Sequence, residues 1–175
     1  MIEPPILKRL NPEDLRPPFD CDDDLNEFFT KDSIISDREL LSVTYVFEQN
    51  NKTIAFFSVS NDSIKKENVP PSKLKKLVKP LPHEKRYSSL PAVKVGRFAI
   101  CNIMQRHGLG TALLDFIKVW FTQGNKTDCR FIIVDAYNKP LIIQFYQRNG
   151  FQFLIEEDSS DETRLMFFDL ITFKK

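Results

Sequence analysis

The run AVKVGRFAI at residues 92–100 is followed by QRHGLG at 105–110 and then by TALLDFIKVWF. The first piece is rich in β-branched and aromatic residues and reads as a strand. In the last piece Leu109, Leu113, Ile117 and Trp120 or Phe121 recur at helical spacing. Two of the chain's five glycines, Gly108 and Gly110, stand between strand and helix. That order restricts the chain to an α/β or α+β sheet with helices on its faces, and it puts the ligand at the helix end of the strand.

A helix N-terminus leaves its first amides unpaired and carries roughly half a positive charge, so it favours an anion. Glycine lets a phosphate approach those amides and permits the dihedrals that turn them inward. Arg106 and His107 add donors at the mouth. A phosphate, and specifically a pyrophosphate, is therefore the expected occupant. A Walker loop is excluded because Leu109 is followed by Gly110-Thr111-Ala112 with no lysine. A dinucleotide fingerprint is excluded because its third glycine is missing.

The remaining segments fit the same class. Residues 6–10 form a short first strand after Pro4-Pro5, and Asp22 or Asp23 caps a helix running through Lys31. A second short helix covers 34–41. SVTYVFEQ and TIAFFSVS form a hairpin across Asn50-Asn51, a pair that tolerates positive φ. Residues 62–91 are rich in Pro and Lys, with a modest helix at 72–78, and a connection of that length is functional or mobile. A strand at 130–135, a helix at 139–149 closed by Gly150, and strands at 151–155 and 164–170 complete the chain.

Composition bounds the rest. A chain of 175 residues, 42% hydrophobic, suits one domain covering 1–175. No stretch approaches the roughly 18 apolar residues of a membrane span, and the first twenty residues lack a signal-peptide core, so a cytoplasmic location is expected. Cys21, Cys101 and Cys129 give neither a disulfide framework nor a zinc pattern. Net charge is only +1, but residues 65–86 hold eight Lys or Arg against two Glu, a local +6. The balancing acids lie at 20–24 and in EEDSSDE at 156–162. Such clusters are either solvated surface or, for the basic one, a track for a phosphate-rich partner.

Gln105-x-x-Gly108-x-Gly110, with its flanking strand and Leu-rich helix, resembles the acetyl-CoA pyrophosphate loop of the GNAT superfamily of N-acetyltransferases. FYQRNGF at 145–151 resembles that family's FYxxxGF segment, preceded by Asn138. Phe19, Cys21, Leu25 and Phe28 resemble the F-x-C-x-x-x-L-x-x-F opening of a subgroup that includes toxins acetylating the amino acid on charged tRNA. LPAVKVGRFAI resembles that subgroup's P-x-x-x-x-G-R-L-A-V strand, with Phe98 for Leu and Ile100 for Val. Ile142 and Asp22 depart from it, where the subgroup has Ala and Gly.

The resemblance implies a mixed sheet of six to seven strands, splayed in the middle, with about four helices on its faces. It implies acetyl-CoA as co-substrate and no metal. Phe98, Ala99 and Ile100 would face the pantetheine arm, Gln105, Arg106, His107, Gly108, Leu109, Gly110 and Thr111 the pyrophosphate, and Asn138 the arm again. Gln105 is alternatively a turn residue only. Tyr146 would give its proton to the departing thiolate, since a phenol near pKa 10 is protonated at neutral pH. No base is legible: His83 and Glu84 lie in the basic segment and Asp135 faces an unknown direction. Three functions fit: direct acetyl transfer to a primary amine, a toxin-like transfer to aminoacyl-tRNA with tRNA along residues 65–86, and a non-catalytic acyl-CoA-binding module. Expected partners are the amine acceptor, with tRNA as its alternative identity and a homodimer as an open assembly, and no membrane.

Overall fold

The computed structural model describes residues 4–17, 19–79, 81–83, 87–125 and 127–173. Seven strands form one sheet in the order β1-β2-β3-β4-β5-β7-β6. They are β1 (Ile6–Leu10), β2 (Val43–Gln49), β3 (Lys52–Lys65), β4 (Ser89–Ile100), β5 (Phe131–Tyr137), β6 (Gln152–Phe153) and β7 (Thr163–Asp169). The helices are α1 (Asp23–Glu27), α2 (Ser33–Arg38), α3 (Pro71–Val78), α4 (Leu109–Thr122) and α5 (Pro140–Arg148). β4 and β5 are parallel, and their ladder covers Ala92↔Phe131 to Lys94↔Ile133, although β4 runs on to Ile100 and β5 to Tyr137. Packing divides the chain into two compact units, Met1–Ser60 with Val95–Asp115, and Asn61–Lys94 with Phe116–Lys175.

In the first unit β2 and β3 form the expected hairpin, with Asn50 and Asn51 at φ 50° and 58°. Side-chain alternation buries Val46 and Phe56 on the face that also holds Leu10, Phe28, Phe29 and Ala99. Phe19, Phe29 and Phe56 meet with centroids 5.0–5.5 Å apart. Each buried ring is worth about 2–3 kcal/mol on area alone, so this aromatic knot is the unit's main source of cohesion.

The helical arm departs from expectation. One continuous run replaces two helices, because α1 passes through a π-helical turn, Phe28–Asp32, into α2. Asp22 occupies the cap position, but its side chain makes no capping hydrogen bond. The π turn has a visible support: Arg16 Nε and Ser33 Oγ both donate to the Phe29 carbonyl, at 2.9 and 2.8 Å. Arg16 Nη2 also donates to Ser33 Oγ at 3.2 Å. Side chains thus satisfy a carbonyl that the widened turn exposes.

In the second unit β5 pairs along its whole length with β7, from Phe131↔Asp169 to Tyr137↔Thr163. The helix expected at 72–78 is α3, whose Leu77 and Val78 enter a core with Ile64, Leu90, Phe131 and Phe167. The long connection is shorter than the sequence suggests, because β3 continues to Lys65 and β4 begins at Ser89. Arg130 holds Asp169 through two hydrogen bonds, 3.2 and 2.9 Å, and donates to the Leu77 carbonyl at 2.8 Å.

α5 ends as the glycine predicts. Gly150 has φ +83°, and a Cβ there would sit 2.9 Å from the Phe168 ring, whereas at Gly108, with φ +81°, a Cβ meets nothing within 4 Å. Gly150→Ala should therefore cost about 1–3 kcal/mol and Gly108→Ala only about 1 kcal/mol. Urea unfolding of the two variants checks the order; equal losses would mean that the Phe168 contact carries no cost.

Candidate active site

The glycine turn lies in the first unit. β4 ends at Ile100, whose carbonyl accepts from Gln105 Nε2 at 3.0 Å and from Cys21 Sγ at 3.5 Å. Gln105 Nε2 also reaches Asn102 Oδ1 at 3.1 Å. Cys101 N–H donates to Ile54 O, and Asn102 N–H to Asp20 O. Each end of the turn is thereby fixed before the chain reaches Arg106 and Gly108, both at positive φ (64° and 81°).

α4 begins directly after this turn, and the Ala112 N–H donates to the Gly108 carbonyl at 3.1 Å. The amides of Leu109, Gly110 and Thr111 precede that ladder and have no carbonyl inside the helix. No acidic residue stands in the first turn. Arg106, His107, Gly108 and Thr111 are exposed, while Leu109 and Gly110 are half-buried. The result is a concentration of N–H donors beside Arg106, with no side chain at Gly108 or Gly110, that suits an anion. On the strand, Phe98 is half-buried and Ala99 and Ile100 are buried, so what they offer a ligand is backbone.

The second unit holds a buried hydroxyl. Tyr146 is 8% exposed on α5, between Phe145 and Phe151, each 5.3 Å away and edge-on. Burial pushes its phenol up from 10.0 to about 12. The helix end below it is built by the rest of the motif. Asn149 Nδ2 donates to Phe145 O at 2.8 Å, and Phe151 N–H to Tyr146 O at 3.0 Å. Lys118, 3% exposed, donates through Nζ to Asn149 O at 2.9 Å and lies 4.5 Å over the Phe168 ring. Asn149 and Lys118 were not singled out from sequence. An Asn-Gly pair after a helix was a legible signal for the first, whereas nothing local marks a helix lysine as buried.

Asn138 has a structural occupation. Its Nδ2 donates to the Ser159 and Asp161 carbonyls, both at 3.0 Å, which leaves Oδ1 as the side-chain atom for a ligand. The acidic loop it holds is also pinned by Asp158, which accepts from Arg164 Nε at 2.7 Å and from Leu165 N–H at 2.6 Å. Asp135 is engaged by Lys94 at 2.5 Å. His83 is exposed, and Glu84 lies outside the described residues. Among the described residues no group of three or more His, Cys, Asp or Glu is placed to hold a metal ion, and no helix is long and apolar enough to cross a membrane.

The raised Tyr146 phenol has a pH consequence. The folded protein keeps a proton that the unfolded chain releases near pH 10, so this contribution to stability is intact below that and is lost as pH rises through about 12. Phenolate absorbance below about pH 11 should therefore be the same in the folded wild-type protein and in Tyr146→Phe. A normal titration in which Tyr146→Phe removes a group near pH 10 would contradict its burial.

No known protein family's profile matches the chain, and no curated protein does. Solved structures do. A crystal structure of the Y145F mutant of KacT is 19% identical, covers 97% of both chains and superposes with a TM-score of 0.77. AtaT complexed with acetyl-methionyl-tRNAfMet is 22% identical over 97% of this chain and 96% of that one, with a TM-score of 0.75. AtaTR bound with AcCoA is 23% identical over 97% and 95%, with a TM-score of 0.74. Over almost its whole length, this chain has the GNAT fold of KacT and AtaT.

Proposed function

We propose that this chain is an acetyl-CoA-dependent N-acetyltransferase whose acceptor is the amino group of an aminoacyl-tRNA. The observation that carries the reading is the coexistence, on a fold shared over 97% of the chain with AtaT complexed with acetyl-methionyl-tRNAfMet, of the open glycine turn and a buried, protonated Tyr146. Acetyl-CoA's pyrophosphate meets the Leu109–Thr111 amides and Arg106, while the acyl arm lies along the backbone of Phe98 to Ile100. The amine attacks the thioester carbonyl, a backbone N–H of that strand steadies the oxyanion, and the C–S bond breaks. Tyr146 gives its proton to the leaving thiolate, which departs as free CoA thiol. An α-amino group, with pKa near 7.7–8.0, sheds its proton to water far more readily than a lysine amine.

The basic segment supports the same acceptor. α3 turns Leu77 and Val78 inward and leaves Lys75, Lys76 and Lys79 exposed, with Lys65 exposed at the end of β3. Lys66 lies 5.9 Å over Tyr87, which is 41% exposed. Lys73 is not part of this face, since its Nζ donates to the Phe153 carbonyl at 2.6 Å. Exposed lysines beside an accessible ring are suited to a phosphate backbone.

Acetyl-CoA-dependent thiol release should proceed with charged tRNA and fail with uncharged tRNA. Tyr146→Phe should lower kcat at least about a hundredfold while acetyl-CoA affinity by calorimetry stays within about twofold. Equal turnover in the two proteins would remove Tyr146 from the chemistry. Replacing Lys75, Lys76 and Lys79 together by Gln should flatten the slope of log affinity for tRNA against log salt by roughly 2. An unaltered slope would return this face to plain solvated surface.

A further inference from the structure

Arg97 stands apart from most of the chain's described arginines. Arg9, Arg38, Arg130 and Arg164 each face a carboxylate, and Arg16 is consumed by carbonyls and Ser33 of its own unit. Arg97 is exposed on β4, and among the described residues its guanidinium makes one hydrogen bond, from Nη1 to the Gly96 carbonyl at 3.0 Å, and no ion pair. The nearest acid of the arm in sequence, Glu27, pairs with Lys31 instead.

The guanidinium is nevertheless held. It lies 5.1 Å over the Phe28 ring, and Phe28 in turn stacks on Phe56 at 6.1 Å with planes 15° apart. Phe28 opens the π turn that Arg16 and Ser33 brace at Phe29. The chain therefore spends an aromatic stack and a non-standard helical turn on immobilising a cation whose remaining donors face solvent. Such a stack modestly stabilises any exposed arginine, and it favours the binding of an anion as well, because a stacked guanidinium loses little further freedom when its fork closes on two oxygens. Arg97 also directly precedes Phe98 on the strand that the proposed function gives to the acyl arm.

We infer that Arg97 is a specificity-determining residue that binds a phosphodiester of the acceptor near the reacting amine, the linkage next to the 3′-terminal aminoacylated nucleotide. The inference rests on the proposed function for the identity of the acceptor. It assigns Arg97 a local role, different from the long-range electrostatic one of the α3 lysines, in that a planar fork at a fixed place selects a particular phosphate.

The test compares two acceptors with the full-length protein: aminoacyl-tRNA, and an aminoacyl-adenosine that carries the same amine and ester but no phosphate. Arg97→Met and Arg97→Lys should each raise KM for aminoacyl-tRNA by roughly tenfold or more, with kcat, acetyl-CoA affinity and Tm little changed. Both should leave kcat/KM for aminoacyl-adenosine within about twofold. Phe28→Leu, which keeps the charge and removes the stack, should produce a smaller KM effect with the same selectivity. Equal losses on both acceptors would make Arg97 merely structural, and no loss on either would overturn the inference. If the wild-type protein acetylates neither acceptor, the proposed function fails and this inference falls with it. If it acetylates both and Arg97 is indifferent, only this inference fails.

Discussion

The carbonyl of Ile100 is the point on which the candidate site depends. It ends β4, and it accepts from Gln105 within the turn and from Cys21 in the N-terminal segment. A buried carbonyl left without partners costs about 1–3 kcal/mol, so the chain is strongly held to the one path that satisfies it. That path delivers Arg106 and Gly108 at positive φ and starts α4 immediately afterwards. Gln105 Nε2 pins the turn to the end of the strand. Cys21, buried and with its thiol raised above the ordinary range by that burial, is the second pin and not a nucleophile.

The second unit applies the same economy to one hydroxyl. In FYQRNGF the neighbours of Tyr146 build its housing: Phe145 and Phe151 wall the ring, Asn149 closes the helix, and Gly150 turns where a Cβ would strike Phe168. Lys118 closes the same helix end from α4. The apolar walls raise the phenol from its ordinary value to about 12, so the hydroxyl stays protonated into strongly alkaline pH. The rigidity of the ring and the raised pKa of its phenol therefore have one cause.

Much of this was legible in the residues. Strand, glycine turn and helix could be read because alternation and helical spacing switch within a few positions, and Asn50-Asn51 named its own hairpin. The π turn could not, because it depends on Arg16, thirteen residues before the Phe29 carbonyl that it braces. Nor could the anchoring of the acidic loop: EEDSSDE reads as like-charge surface until Arg164 and Asn138 are brought to it by the β5–β7 pairing. The role of Gly108 was half legible. Its φ of +81° was expected, but the space around its Cβ is open, so its constraint is conformational and any obstruction would be to a ligand.

The most direct measurement is the chemical identity of the product. Charged tRNA would be incubated with the protein and acetyl-labelled CoA, digested with nuclease, and the terminal nucleoside analysed by mass spectrometry. The expected result is N-acetylaminoacyl-adenosine carrying the label, formed by the wild-type protein and nearly absent with Tyr146→Phe. Unlabelled aminoacyl-adenosine beside labelled small amines would contradict the assignment of acceptor. No transfer to any amine, with acetyl-CoA still bound, would contradict catalysis itself.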